Sequence, residues 1–417
     1  DIVSRDWSSD VCSSDLKELL LLSFNYKCSQ CDAIYEIDPE LMLCPVCSAT
    51  QRSGQPLNGV LEVELKGSIS SHDPLDFLPV EREFFPAIPV GNTPLWHPQN
   101  LVEKYAFPHL YLKDDGVNPT GSLKDRASFL VAAFARKHGI REVVVASTGN
   151  AGSSMAGVGA AAGLKIKLFL PKTAPPAKMI QALQYGADVV LAEKNYDQAF
   201  ALSLEYSRTR GGMNRNTAYN PMTVEGKKTV SLEIFNQLAP DVPDGKAPDH
   251  VFVGVGDGVI LSGIYKGFRD LLQLGRIVKI PTVHAVQASG SAAIYRALET
   301  GVFDGHPAKT VADSISVDVP SNGHLAVKNL KAYDGKCITV SDDEILSAQK
   351  ELSSACGLFS EPAAATAYAG FLKQKSSLDS GETCVVLLTG NGLKDTNSAA
   401  KNIILPEKAI NSLDEIS

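Results

Sequence analysis

Lys124 sits in the run Asn118-Pro119-Thr120-Gly121-Ser122-Leu123-Lys124-Asp125-Arg126, directly after a Gly-Ser turn and before an amphipathic helical pattern at 127–138. A lysine at a helix entrance can hold its amine beside an anionic cofactor and form a Schiff base with a carbonyl. The same short pattern, taken alone, also describes a solvated lysine in a first helical turn. What the other loops offer decides between the two.

Three strand-like segments end in loops that would complete a pyridoxal phosphate site around such a lysine. The segment 142–146 runs into Ser147-Thr148-Gly149-Asn150-Ala151-Gly152, where Gly149 and Gly152 permit close backbone approach and the Asn150 amide can donate to a phenolate oxygen. A helix-capping turn would use the same residues. The segment 250–253 leads into Gly254-Val255-Gly256-Asp257-Gly258-Val259 ahead of a helix. Glycines there let successive N–H groups and a helix N-terminus face a phosphate. Val259 replaces the last glycine of a dinucleotide fingerprint, and Asp257 has to turn away from an anion or act as a cap. The segment 383–388 ends at Thr389, whose hydroxyl opposite a pyridine nitrogen suits elimination more than transamination.

Cys28-x2-Cys31 and Cys44-x2-Cys47, twelve residues apart, have the spacing that sets four thiolates tetrahedrally around a structural Zn2+. A rubredoxin-like iron site would accept the same geometry, and two disulfides are disfavoured inside cells. Cys337, Cys356 and Cys384 stand alone in apolar settings and read as core residues.

The elements that must carry these loops alternate. Strands are predicted at 109–113, 142–146, 165–170, 188–192, 250–253, 283–287 and 383–388, and helices at 123–138, 151–162, 176–185, 198–208, 259–274 and 291–299. Such alternation implies an α/β fold of parallel sheets with helices on both faces and ligands at the strand C-termini. The chain has 417 residues, 44% hydrophobic and 21% charged, with a formal net charge of -8 and no basic run. That excludes nucleic acid or an anionic membrane as the main partner. Apolar runs are strand-sized, so a cytoplasmic protein is expected. Residues 1–16, rich in Ser and Asp and without periodicity, read as a non-native leader, with Cys12 in it.

The motifs NPTGSLKDR (118–126), STGNAG (147–152), NPMTVEGKKT (220–229), EPAAA (361–365) and LTGNGLKD (388–395) occur in the order of a known family. The stretch 90–391 resembles the fold-type II pyridoxal phosphate enzymes, most closely the threonine synthases, some of which carry an N-terminal zinc-ribbon-like segment. The resemblance implies two doubly wound parallel-sheet domains with the cofactor in the cleft between them. It implies that Lys124 holds the cofactor, that Asn150 bonds its phenolic oxygen and that Thr389 faces its ring nitrogen. Gly254, Val255, Gly256, Asp257, Gly258 and Val259 would form the phosphate loop. Ser147, Thr148, Gly149 and Ala151 would grip the substrate carboxylate, with Asn216, Thr217 and Thr223 near its distal end. The expected organisation is a leader at 1–16, a zinc-ribbon-like segment at 17–50 and a linker and lead-in at 51–98. A catalytic region follows at 99–405, with a smaller subdomain inserted at about 127–225, and then a tail at 406–417.

Two departures from the family pattern bear on the substrate. The family's N-P-x-R-x-E-G carries an arginine implicated in holding the substrate's phosphate, and Thr223 stands in its place. Ala151 replaces a common Thr or Ser. The resemblance implies, as the leading expectation, a lyase acting on a small amino acid, converting O-phosphohomoserine and water to threonine and phosphate. The alternative, which Thr223 and Ala151 favour, is β-elimination or β-replacement on serine, threonine, phosphoserine or diaminopropionate. A homodimer is implied by the resemblance alone.

Overall fold

The computed structural model of the protein describes residues 20–174, 176–239, 247–404, 406 and 409–412; the leader read at 1–16 lies outside them, as does part of the 406–417 tail. The chain opens with strands β1 (Leu20–Cys28), β2 (Ile34–Tyr35) and β3 (Leu61–Ile69), which form an antiparallel sheet in the order β2-β1-β3. β3 lies inside the stretch read as linker. It forms because Leu61, Val63 and Leu65 alternate inward with Glu62 and Glu64, the period-2 pattern of a half-buried strand.

Two larger sheets follow. β4 (Leu95–Trp96) and β5 (Leu110–Asp114) begin one; β6 (Glu142–Ala146), β7 (Lys165–Pro171), β8 (Asp188–Ala192) and β9 (Met213–Asn214) make a second. The chain then returns to the first with β10 (His250–Gly254), β11 (Thr282–Ala288), β12 (Lys336–Val340) and β13 (Cys384–Leu388). The first sheet has the order β12-β11-β10-β13-β5-β4 and the second β8-β7-β6-β9, with all pairings parallel except β4 with β5. Because helices cover both faces, the central strands β10 and β13 are buried along their whole length, whereas β12 and β8, at the sheet edges, are partly exposed. Val251, Val253, Val385 and Leu387 pack on one side with Leu261, Ile264 and Phe268 of the helix Val259–Gln273. Phe252, Val286, Val386 and Leu388 pack on the other with Ala364, Tyr368 and Phe371 of the helix Pro362–Gln374.

A buried polar network holds the lysine loop to the segment before β4. The Arg126 guanidinium sits 2.6 Å from Asp115 and 2.6 Å from Glu233, and donates to Thr93 Oγ1 at 3.1 Å. Lys113 Nζ donates to the other oxygen of Glu233 at 2.7 Å. Asn92 N–H also donates to Glu233, at 2.8 Å. Burial alone would push the Glu233 carboxyl up, but the Arg126 and Lys113 charges and hydrogen bonds outweigh it and hold the pKa at about 2.

This carboxylate therefore adds stability that is full above the ordinary glutamate pKa of 4.5 and is lost as pH falls toward about 2. Glu233→Gln leaves Arg126 and Lys113 short of a counter-charge and is expected to cost about 3–5 kcal/mol at neutral pH. Urea unfolding across this acid range checks it: the wild type should lose its advantage over the variant as the pH drops.

Candidate active site

β5, β10 and β13 are neighbours in one sheet, so the loops leaving their C-terminal ends meet. Backbone pairing fixes them further. Ser122 bridges Gly390, Leu123 N–H donates to Thr389 O at 2.9 Å, and Asn391 N–H donates to Gly121 O at 2.9 Å. On the other side, Ser360 bridges Asn391 and Glu361 N–H donates to Gly390 O at 2.9 Å. The tight 118–123 loop is closed by Asp125, which accepts from Thr120 N–H at 2.7 Å and from the Thr120 hydroxyl, with Gly121 at φ +87°.

Lys124 is thereby set as the first residue of the helix Lys124–Lys137. Its amine makes no hydrogen bond or ion pair with any described residue. Burial and the nearby Arg215 charge lower its pKa, against the carboxylates of Glu361 and Asp257. Such an amine is readily neutral and nucleophilic. Thr389, 4% exposed, likewise offers a hydroxyl with no partner among the described residues.

The glycine loop after β10 divides its work. Val255 N–H donates to Val286 O at 2.8 Å and is not available to a ligand. The N–H groups of Gly256, Asp257 and Gly258 have no described partner and stand at the N-terminus of the helix Val259–Gln273, which favours a phosphate. A Cβ at Gly256 would meet the Ile315 backbone at 2.7 Å, so this glycine also makes room for the chain itself. Asp257 turns away from the loop: its carboxylate accepts from the backbone N–H of Ser321 and, at 2.6 Å, from the Ser321 hydroxyl. Burial raises its pKa to about 6.

Asn150 opens the helix Asn150–Ala161 after β6. Its Nδ2 donates to both Glu361 oxygens at 3.0 Å, and Ser314 Oγ donates to Glu361 at 3.2 Å. Burial pushes the Glu361 carboxyl up. Ser147 Oγ accepts from Gly149 N–H at 3.2 Å, shaping the turn that presents Thr148 and leads into half-buried Ala151.

Three residues expected near the substrate make hydrogen bonds within the fold. Asn216 Oδ1 accepts from Ala146 N–H at 2.7 Å and its Nδ2 donates to Ser203 Oγ at 2.7 Å, so both ends of its amide are engaged. The Thr223 hydroxyl donates to Thr217 O and to Asn220 O at 2.8 Å, within the first turn of the helix Pro221–Lys227. Thr217, at φ +26°, accepts at Oγ1 from Ser321 at 2.8 Å. Sequence reasoning passed over Glu361, Arg215 and Lys227. Glu361 stands in the EPAAA motif and Lys227 in NPMTVEGKKT, whereas Arg215 carries no signal beyond its type.

The four N-terminal thiols also converge. Cys28 and Cys47 Sγ are 3.8 Å apart and Cys31 and Cys44 Sγ 3.7 Å, with all four within 4.8 Å of one another. A tetrahedral ion about 2.3 Å from each sulfur requires sulfurs about 3.8 Å apart, and a disulfide requires about 2.05 Å. The donor set fits a thiolate-bound metal.

The unpartnered Lys124 amine, the Thr389 hydroxyl and the three free N–H groups at a helix N-terminus likewise fit a phosphorylated pyridoxal cofactor. Residues 87–390 match the family described as pyridoxal-phosphate dependent enzyme. Threonine synthase of Methanosarcina acetivorans is 34% identical over 381 residues, covering 89% of this chain and 92% of that protein. Threonine synthase of Methanocaldococcus jannaschii is 32% identical over 397 residues, covering 90% and 94%. Among solved structures, threonine deaminase isoform 2 of Solanum lycopersicum superposes with a TM-score of 0.63 at 22% identity, covering 74% of this chain and 86% of that one; this likeness speaks to the fold alone.

Because the Thr223 hydroxyl satisfies two carbonyls of its own turn, Thr223→Val should lower stability by about 1–2 kcal/mol. Chemical denaturation of the two proteins measures this, and an unchanged midpoint would mean that the hydroxyl faces a ligand.

Proposed function

Since the chain belongs to the pyridoxal-phosphate dependent enzymes, and within them is a threonine-synthase-like lyase, we propose that it converts O-phosphohomoserine and water to threonine and phosphate. The observation that carries the reading is the half-buried Lys124 amine, without a partner among the described residues, in loops matching that family along most of the chain. Lys124 would hold the cofactor, Gly256, Asp257 and Gly258 would give their N–H groups to its phosphate, and Thr389 would face its ring nitrogen. When bound, the cofactor supplies an electron sink that acidifies carbon-bound protons of the substrate amino acid.

The chain's own part is proton traffic and positioning. Lys124 Nζ, its pKa lowered by burial, takes the proton from Cα, hands it on, and as a free amine again takes one from Cβ, so that the phosphate leaves from Cγ. The same amine returns a proton to Cγ, water adds at Cβ, and the last proton goes back to Cα. The turn at 147–151 would hold the substrate carboxylate through Thr148 and the N–H groups around Gly149. Glu361, beside Asn150 and close enough to Lys124 to act on its charge, is placed to steady the amine in its protonated phases.

We further propose a structural Zn2+ at Cys28, Cys31, Cys44 and Cys47, since four thiolates leave no open position for chemistry. On family grounds the protein is expected to be a cytoplasmic homodimer.

Phosphate and threonine should appear together from O-phosphohomoserine, and Lys124→Ala should cut that rate by at least about a thousand-fold. Keto-acid formation from serine or threonine, with no phosphate released from O-phosphohomoserine, would point instead to β-elimination on a smaller substrate. For the metal, Cys28→Ser should remove zinc from the purified protein and lower its melting temperature. Zinc that stays stoichiometric after that change would rule out the four-thiolate site.

A further inference from the structure

Six lysines and arginines are buried among the described residues, and they fall into two classes. Lys113, Arg126, Lys228 and Lys266 each have a carboxylate oxygen within 2.5–2.8 Å. Arg215, 1% exposed, and Lys227, 3% exposed, have no ion pair with any described residue. The Arg215 guanidinium donates to Ser128 Oγ at 3.3 Å, and its Nε is buried with no partner at all. Lys227 Nζ donates to Thr223 O at 3.2 Å. A charge held out of water without a counter-charge is costly enough that folds retain it where something else completes it.

The two unpaired cations lie close enough to Lys124 for charge to be felt between them. Arg215 follows β9, and Lys227 ends the helix Pro221–Lys227. Each charge is near enough to the other to be felt, and Lys227 also feels Lys124 and Asp257. Two basic side chains of the segment that follows β9, next to the Lys124 amine, make a locus for an anion.

Position along the helix says which anion. A helical side chain leans toward the N-terminus and covers the turn before it, so residue 227 covers the surface around residue 223. The hydrogen bond from Lys227 Nζ to Thr223 O shows the lysine doing this. The charge missing at Thr223 is thus delivered from one turn further on. The cofactor's phosphate has its own cradle in the free N–H groups of Gly256, Asp257 and Gly258, which leaves the cation pair for a second anion.

We propose that Lys227, backed by Arg215, binds the phosphate group of the substrate and of the inorganic phosphate product, in the role that an arginine at position 223 would otherwise fill. This rests on the reaction proposed above and names the residues of its phosphate subsite.

Inorganic phosphate titrated calorimetrically into the cofactor-loaded protein tests it without turnover. The wild type should bind phosphate saturably, and Lys227→Met should weaken that binding roughly ten- to a hundred-fold while raising KM for O-phosphohomoserine by a similar factor. Adding Thr223→Arg to Lys227→Met should restore most of both. The cofactor-free Lys227→Met protein should melt no lower than the wild type, because no paired charge is removed; a merely structural lysine would lower it. The proposal is overturned if the wild type binds no phosphate, if Lys227→Met binds it as tightly as wild type, or if that variant loses cofactor rather than phosphate. Failure of the wild type to make threonine would overturn the reaction instead, whatever the phosphate titration shows.

Discussion

The site depends on a short piece of main chain that is paired on both edges. Residues 389–392 leave β13 and bond on one side to Gly121, Ser122 and Leu123 and on the other to Phe359, Ser360 and Glu361. Backbone bonds of this kind are indifferent to side-chain identity and resist displacement. Lys124, Thr389 and Glu361 are therefore set relative to one another by a single laced unit at the end of a fully buried strand. Gly390 has no space for a side chain because the Glu361 carboxylate lies against it. A substitution there would disturb the lysine loop and the Glu361 loop together.

Buried charge is sorted by role around that unit. Where charges hold elements together they are neutralised: Arg126 and Lys113 share Glu233 and Asp115, and Lys228 and Lys266 share Asp270. Where charges face the cleft they are left unmatched, as with Lys124, Arg215 and Lys227. The energetic logic is the same in both places, since a buried charge needs an opposite one. In the first case the chain supplies it, and in the second the ligand must. Asp257 and Glu361 are hydrogen-bonded to Ser321 and to Asn150 and Ser314, form no ion pair with these three cations among the described residues, and act on Lys124 and Lys227 only through space.

Much of this was legible beforehand, and the limits have physical causes. The strand 142–146 falls where its apolar run places it, because a strand covered on both faces is a short apolar block with polar ends, and 188–192 falls in place too, as a partly exposed edge strand. The helix Pro362–Gln374 was not assigned, since its Ala-rich run is buried on every side and shows no amphipathic period. The same cause hid Lys227. Every residue of Pro221–Lys227 is buried, so no polar face marks its direction, and a lysine in Glu-Gly-Lys-Lys is indistinguishable in sequence from a solvated one. Thr223 reads in the sequence as a loss of charge from the site, whereas in the fold Lys227, one turn on, reaches back to Thr223 O. Asn216 looked available as a polar contact until the structure engaged both ends of its amide.

Two lysines of lowered pKa, Lys124 and Lys227, lie near one another, and the tasks proposed for them are opposite: one holds the cofactor and the other an anion. Borohydride reduction of the cofactor-loaded protein, followed by peptide mapping by mass spectrometry, distinguishes them directly. The account predicts the reduced cofactor on the peptide carrying Lys124 alone. Label on Lys227, or no covalent label in a protein that holds the cofactor, would contradict it.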